Sequence, residues 1–116
     1  MVLLRYALEV SGGIDGLMVT HLDQYDALPG SMKTLVCSGY SPQGNSDITV
    51  HRLPVNPVLT DLAFQERLTA FLNTARPVYD AAPVNAADLW RWLEKQLSVP
   101  VLFGSYGPTA SDKQRV

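Results

Sequence analysis

Gly16-Leu17-Met18-Val19-Thr20-His21-Leu22-Asp23 is the stretch whose reading decides the fold. Seven uncharged residues run into one aspartate, the pattern of a buried strand that delivers a carboxylate at its carboxyl end. In open α/β sheets that edge is where ligands sit, so Asp23 is the first candidate functional residue. A carboxylate there can accept two parallel hydrogen bonds from a ring N–H and an adjacent exocyclic NH₂. Among common bases guanine offers that pair on one edge and adenine does not, so the chemistry points to a guanine-reading site. The plainer reading is a polar residue that ends a strand and caps a turn.

Outward from this stretch, Val2, Leu3, Tyr6, Ala7 and Val10 form one helical stripe, with Arg5 and Glu9 opposite. Ser11-Gly12-Gly13 ends that helix, since glycine tolerates the left-handed conformation a helix terminus needs. A helix leading into a buried strand is half of an α/β unit, which implies a chain that starts in mid-fold. Gln24 to Ser31, with Pro29-Gly30, reads as a turn, and Lys33 to Tyr40 as a second apolar strand. Residues 41–46 form a loop, and Asp47 to Leu53 alternates as a short peripheral strand with His51 towards solvent.

From Thr60 to Ala75 the residues Phe64, Leu68, Phe71, Leu72 and Ala75 keep a helical period, which predicts an amphipathic helix with core aromatics. Arg76 to Asp80 is a brief extended piece, and Asn85 caps a helix from Ala86 to Leu97 with Leu89, Leu93 and Leu97 inward. Trp90 and Trp92 are about 200° apart on it, so one is expected in the core and the other against a neighbour. Val99 to Phe103 is a buried strand that gives way to Gly104-Ser105-Tyr106-Gly107-Pro108. Up to three strands then present small or polar residues at one rim if they run parallel. Thr109 to Val116 reads as a mobile polar tail.

Composition narrows the functions. At 116 residues, 47% hydrophobic and 17% charged, the chain supports one soluble domain. Nine basic against eleven acidic residues, with no basic run, argue against a nucleic-acid partner. The apolar runs are too short for a membrane span and no signal-peptide pattern opens the chain, so no membrane role and a cytoplasmic location are expected. Cys37, the single cysteine, reads as a small buried hydrophobe, and with His21 and His51 it has no metal-ligand spacing.

Catalytic motifs are not found. A phosphate loop needs glycines opening a helix and a lysine, whereas Ser11-Gly12-Gly13 follows a helix. Gly104-Ser105-Tyr106-Gly107 lacks the glycine two residues before the serine and the following helix that a nucleophile elbow requires. His21 and Asp23, two apart on a strand, share a face, which suits binding better than nucleophile activation. A base pocket uses the same residues: Asp23 on the guanine edge, His21 flanking the ring, Ser105 and the Gly107 backbone closing the other side. It requires the strands beginning at Gly16 and Val99 to be neighbours.

Several segments have a familiar text: Val19-Thr20-His21-Leu22-Asp23, Lys33-Thr34-Leu35-Val36-Cys37-Ser38-Gly39-Tyr40, Arg76-Pro77-Val78-Tyr79-Asp80-Ala81-Ala82-Pro83, and Ser98-Val99-Pro100-Val101-Leu102-Phe103-Gly104-Ser105-Tyr106-Gly107-Pro108. In order and approximate spacing they resemble the carboxyl-terminal portion of the adenylosuccinate synthetase family, whose corresponding text is L-T-K-L-D, K-x-C-V-A-Y, E-P-V-Y-E-x-L-P and G-V-P-I-x-x-I-S-x-G-P-D-R. The resemblance implies a fragment of that α/β fold: a partial sheet of largely parallel strands with flanking helices, in residues 1–108, and a polar tail in 109–116. It implies a ligase that condenses IMP with aspartate at the expense of GTP and Mg²⁺ in purine synthesis. By position it makes Asp23, Ser105, Gly107 and Pro108 guanine-binding, with His21 where the family has the lysine that packs over the base.

Thr109-Ala110 replaces the family's D-R, and the family's G-D-E-G-K-G phosphate loop and catalytic residues are absent from this text. The expectation is therefore a chain that binds guanine nucleotide weakly and is inactive alone. Its implied partners are the amino-terminal portion of a synthetase and, as in the family, a second copy in a homodimer. The alternative is a non-catalytic protein-interaction domain that retains the fold, with an exposed Trp90 or Trp92 meeting the partner.

Overall fold

A computed structural model describes residues 1–33, 35–45, 47–58, 60–83 and 85–116. Thr34, placed by sequence in the second strand, and Ser46, placed in the loop after it, lie outside the described residues. In chain order the elements are α1 (Val2–Val10), β1 (Leu17–Val19), α2 (Leu22–Ala27), α3 (Gly30–Lys33), β2 (Leu35–Ser41), α4 (Leu62–Thr74), β3 (Arg76–Ala81), α5 (Ala86–Leu97), β4 (Val101–Ser105), a 3₁₀ turn (Ala110–Asp112) and β5 (Lys113–Arg115). The chain is mixed α/β, with a small, partly parallel sheet ordered β1-β4-β5 and a two-stranded sheet of β2 and β3. Only β1 and β4 of the three rim candidates share a sheet, which corrects the expected common rim; β2 pairs with β3 instead.

Contacts divide the chain into two compact units: residues 1–12 with 37–79, and residues 13–36 with 80–116. Each unit is built from two separated segments, so no linker in the sequence marks the division. In the first unit α1 turns Val2 fully inward and Tyr6 partly, while Leu3, Ala7 and Val10 of the expected stripe stay exposed. Surface polar ties accompany that orientation: Arg52 Nε donates to Glu9 Oε1 at 2.8 Å, and Arg5 Nη1 reaches the His51 carbonyl at 3.5 Å. The expected strand from Asp47 to Leu53 reduces to one antiparallel bridge between Tyr40 and Val50. His51 is solvent-exposed as expected, with Nδ1 3.1 Å from the Ser38 carbonyl.

α4 is capped by Asp61, which accepts the Phe64 N–H at 3.0 Å. None of its residues is fully buried, which corrects the core reading of its aromatics. Phe64, Leu68 and Phe71 are half-buried and line an open apolar groove of about 300 Å³ with Val50, Leu53 and Pro54. The helical period of these residues identified the inward face; how deeply that face is covered depends on elements the period does not describe.

The second unit carries the parallel pair. α5 begins where Asn85 accepts the Asp88 N–H at 2.8 Å, the expected cap. It is tied to β4 by Glu94, whose Oε1 accepts the Val101 N–H at 2.7 Å. Trp90 and Trp92 are both half-buried, and the Arg91 guanidinium lies 5.0 Å from the Trp90 ring centroid. Neither tryptophan is the exposed anchor that the interaction-domain alternative invoked.

The deciding stretch is only partly strand. β1 stops at Val19, and the chain turns through His21 in the left-handed region (φ 61°, ψ 30°) into α2, a helix where a loop was expected. His21 and Asp23 therefore do not share a strand face. The reason is tertiary: Leu22, 0% exposed, drops into the core against β4, a burial that contributes about 1.5–3 kcal/mol. Tyr25 donates its hydroxyl to the Pro83 carbonyl, and Asp26 Oδ1 accepts the Ala86 N–H at 2.8 Å. These anchors hold a helical turn that local propensity alone does not announce.

Residues 109–116 are likewise ordered, correcting the mobile tail. β5 pairs antiparallel with β4 in the register Phe103↔Arg115, Gly104↔Gln114 and Ser105↔Lys113. A strand of Lys, Gln and Arg at a sheet edge has no apolar alternation for a sequence reading to detect.

Candidate functional site

β1 and β4 run parallel and side by side, in the register Leu17↔Val101, Met18↔Phe103 and Val19↔Gly104. Their carboxyl ends therefore open at the same edge of the sheet. Beyond that edge is a cavity of about 400 Å³ lined by Thr20, His21, Asp23, Gln24, Ser105, Gly107, Pro108 and Lys113. All five residues singled out in the sequence line it, although Asp23 arrives on the first turn of α2 instead of at a strand end. Thr20, Gln24 and Lys113 were missed. Thr20 and Gln24 flank the singled-out residues in the chain, a signal that proximity alone offered; Lys113 lay in the segment read as a tail.

Close packing sets the walls. Gly104 has no room for a side chain: a Cβ there would lie 2.9 Å from Leu22 Cδ1. The bare backbone at Gly104 thus lets Leu22 seat α2 on β4 and carry Asp23 to the cavity. On the other wall Gly107 is closed in by Asp112, with an added Cβ falling 2.6 Å from Oδ2 and 2.8 Å from Cγ. Asp112 cannot give way easily, because its Oδ2 accepts the Thr109 N–H at 2.8 Å and the Thr109 hydroxyl at 2.6 Å. The Tyr106 N–H in turn donates to the Asp112 carbonyl at 2.9 Å.

The polar groups in the cavity divide into committed and available ones. Ser105, 4% exposed, spends its proton on the Gly107 carbonyl at 3.0 Å. The same carbonyl accepts Lys113 Nζ at 2.7 Å. His21 Nδ1 lies 3.0 Å from Thr20 Oγ1. Asp23 is exposed and takes no hydrogen bond or ion pair among the described residues, which leaves both carboxylate oxygens open to a ligand. A non-glycine residue at φ 61° costs on the order of 1 kcal/mol, and here the cost falls at the cavity rim, at His21.

The Thr109 hydroxyl, the Thr109 N–H and the Lys113 charge hold the Asp112 carboxyl below its ordinary value of 3.8. A depressed folded-state value adds stability that is present above 3.8 and lost as pH falls through the lower native value. The 3₁₀ turn and the Gly107 wall are therefore expected to loosen in acid. Protection of the Thr109 and Tyr106 amides, measured against the intrinsic exchange rate, should be high at pH 6 and fall selectively as pH is lowered below 3.8; an Asp112→Asn variant that behaves like the parent across that range would contradict it.

The fold and this edge together define a mixed α/β chain with a small-molecule-sized recess at the carboxyl ends of two parallel strands. No family model matches the chain. It is 31% identical over 127 aligned residues to the adenylosuccinate synthetase of Marinomonas sp. (strain MWYL1), an alignment that takes in 96% of this chain and 25% of that protein. The chain thus spans about a quarter of the length of the curated relative it matches, and its relation to adenylosuccinate synthetase is distant and partial. No helix among the described residues is long and apolar enough to cross a membrane.

Proposed function

We propose that this chain forms the guanine-base-binding part of an adenylosuccinate synthetase-like, GTP-dependent ligase, one that joins IMP to aspartate, and that it is not catalytic alone. The observation that carries the reading is the parallel β1–β4 pairing, which gathers Thr20 to Gln24 and Ser105 to Pro108 around one cavity with Asp23 unclaimed. The Asp23 carboxylate accepts the N1–H and 2-amino hydrogens of guanine. Adenine in the same place turns its N1 lone pair towards that carboxylate and is repelled. His21 and Pro108 flank the ring, and the Gly107 turn closes the recess.

The sequence holds no glycine-rich phosphate loop, so the triphosphate gains little and binding rests on the base. Among the described residues no group of three His, Cys, Asp or Glu side chains could hold a metal ion.

The test is an NMR or calorimetric titration of the chain with GTP, GDP and ATP. GTP and GDP are expected to bind about equally, with Kd near 1 mM because two charged hydrogen bonds only modestly exceed the cost of immobilising the ligand. ATP is expected to bind at least about tenfold more weakly. Equal affinities for all three, or no shift of the cavity residues with any, would overturn the reading.

A further inference from the structure

We infer that Lys113 is a specificity-determining residue of this cavity, its ammonium donating to the 6-oxo group of the bound purine. The inference deepens the guanine reading and rests on it. Lys113 stands directly opposite Ser105 in the β4–β5 register, and a directly paired residue shares its partner's face of the sheet. Its half-buried side chain lines the same recess as Asp23.

The hydrogen-bond inventory selects Lys113 over its neighbour. Ser105, the other polar side chain at the end of β4, has already given its only proton to the Gly107 carbonyl. Lys113 has three N–H bonds and spends one, on that same carbonyl. It makes no ion pair among the described residues, and the neighbouring Asp112 carboxylate is engaged by Thr109. Two ammonium hydrogens thus remain for a ligand, anchored by a 2.7 Å bond that limits where the head can go.

Asp23 gives the recess a charged acceptor and Lys113 a charged donor, beside the neutral side chains of Gln24 and His21. A purine with N1–H and 2-NH₂ beside a 6-oxo oxygen satisfies both at once. Adenine presents a 6-amino group to the ammonium and a lone pair to the carboxylate, so it is rejected twice. Lys113 lies past the point where Thr109-Ala110 departs from the D-R of the synthetase pattern, so this donor belongs to the present chain's own text.

The test compares the full chain with Lys113→Met and Lys113→Gln in titrations with GDP, 6-thio-GDP and ADP, following cavity amides by NMR. Thio substitution keeps N1–H and 2-NH₂ but weakens the acceptor at position 6. The parent is expected to prefer GDP over 6-thio-GDP. Lys113→Met should lose roughly ten- to a hundredfold in GDP affinity and bind GDP and 6-thio-GDP alike. Lys113→Gln, which keeps a neutral donor, should recover part of both the affinity and the preference.

β5 pairs through its backbone, so unchanged amide shifts for residues 101–105 establish that the variants are folded. Variants that retain the parent affinity and the GDP to 6-thio-GDP ratio would remove Lys113 from recognition while leaving the guanine reading intact. A parent chain that does not prefer GDP to ADP would overturn that reading itself, and this inference with it.

Discussion

An Asp23→Ala chain is expected to bind GDP at least about a hundredfold more weakly than the parent, because two charge-assisted hydrogen bonds of about 1.5–3 kcal/mol each disappear together. On the proposed reading no other carboxylate lines the recess, Ser105 is committed to Gly107, Lys113 is a donor, and the Gln24 amide oxygen carries no charge to replace them. The fold should scarcely notice. Asp23 is exposed and contributes to α2 mainly as an acid in its first turn, worth about 0.3–1 kcal/mol.

Asp23→Asn is the more telling variant. Its amide offers one acceptor and one donor, which match the N1–H and 2-oxo pair of xanthine instead of the N1–H and 2-amino pair of guanine. Titration with the diphosphates of both bases should show the preference inverted. An Asp23→Ala chain that binds GDP as the parent does would remove the carboxylate from recognition.

The second large effect is on stability. Asp26→Ala should destabilise the unit that carries the cavity by about 2–3 kcal/mol, because the Ala86 N–H, on a residue 2% exposed, loses its partner without gaining water. That bond joins positions 26 and 86 and fastens α2 to the start of α5. Both tryptophans of the chain lie on α5, so urea unfolding followed by their fluorescence reports on this unit. Asp26→Asn retains an acceptor oxygen and should lose less than half as much, on the order of 1 kcal/mol. If alanine and asparagine prove equally mild, the link between the two helices is not what holds α2 in place.

What the sequence revealed and what it hid separate along physical lines. α5 was legible to the residue because Asn85 is a strong cap and the helical period after it is regular. β4 was legible as an apolar run ending in Gly104-Ser105, but the strand spans Val101–Ser105 and leaves Leu102 and Phe103 exposed where a buried strand was expected. Local signals of this kind are written in contiguous residues.

The turn at His21 was not, because it depends on Leu22 finding a bare Gly104 and on Tyr25 and Asp26 finding partners near residues 83–86. β5 escaped for a related reason: its order comes from backbone pairing with β4, to which its polar side chains give no clue. The candidate site was nevertheless half visible, since Asp23, His21, Ser105, Gly107 and Pro108 were chosen by chemistry and by resemblance. The structure gathers these five and adds Thr20, Gln24 and Lys113, which required knowing that two distant strand ends are neighbours.

Leu17 and Val101, which face each other across β1 and β4, are 84 positions apart along the chain. At ribosomal speeds of about 5–20 residues per second, roughly 4–17 s pass between synthesis of one and synthesis of the other. During that interval β1 has no β4 to pair with, and Leu22 has no Gly104 to cover it. A chaperone that shields apolar segments on nascent chains has its opportunity in those seconds, and codon changes that slow elongation between the two strands would lengthen it.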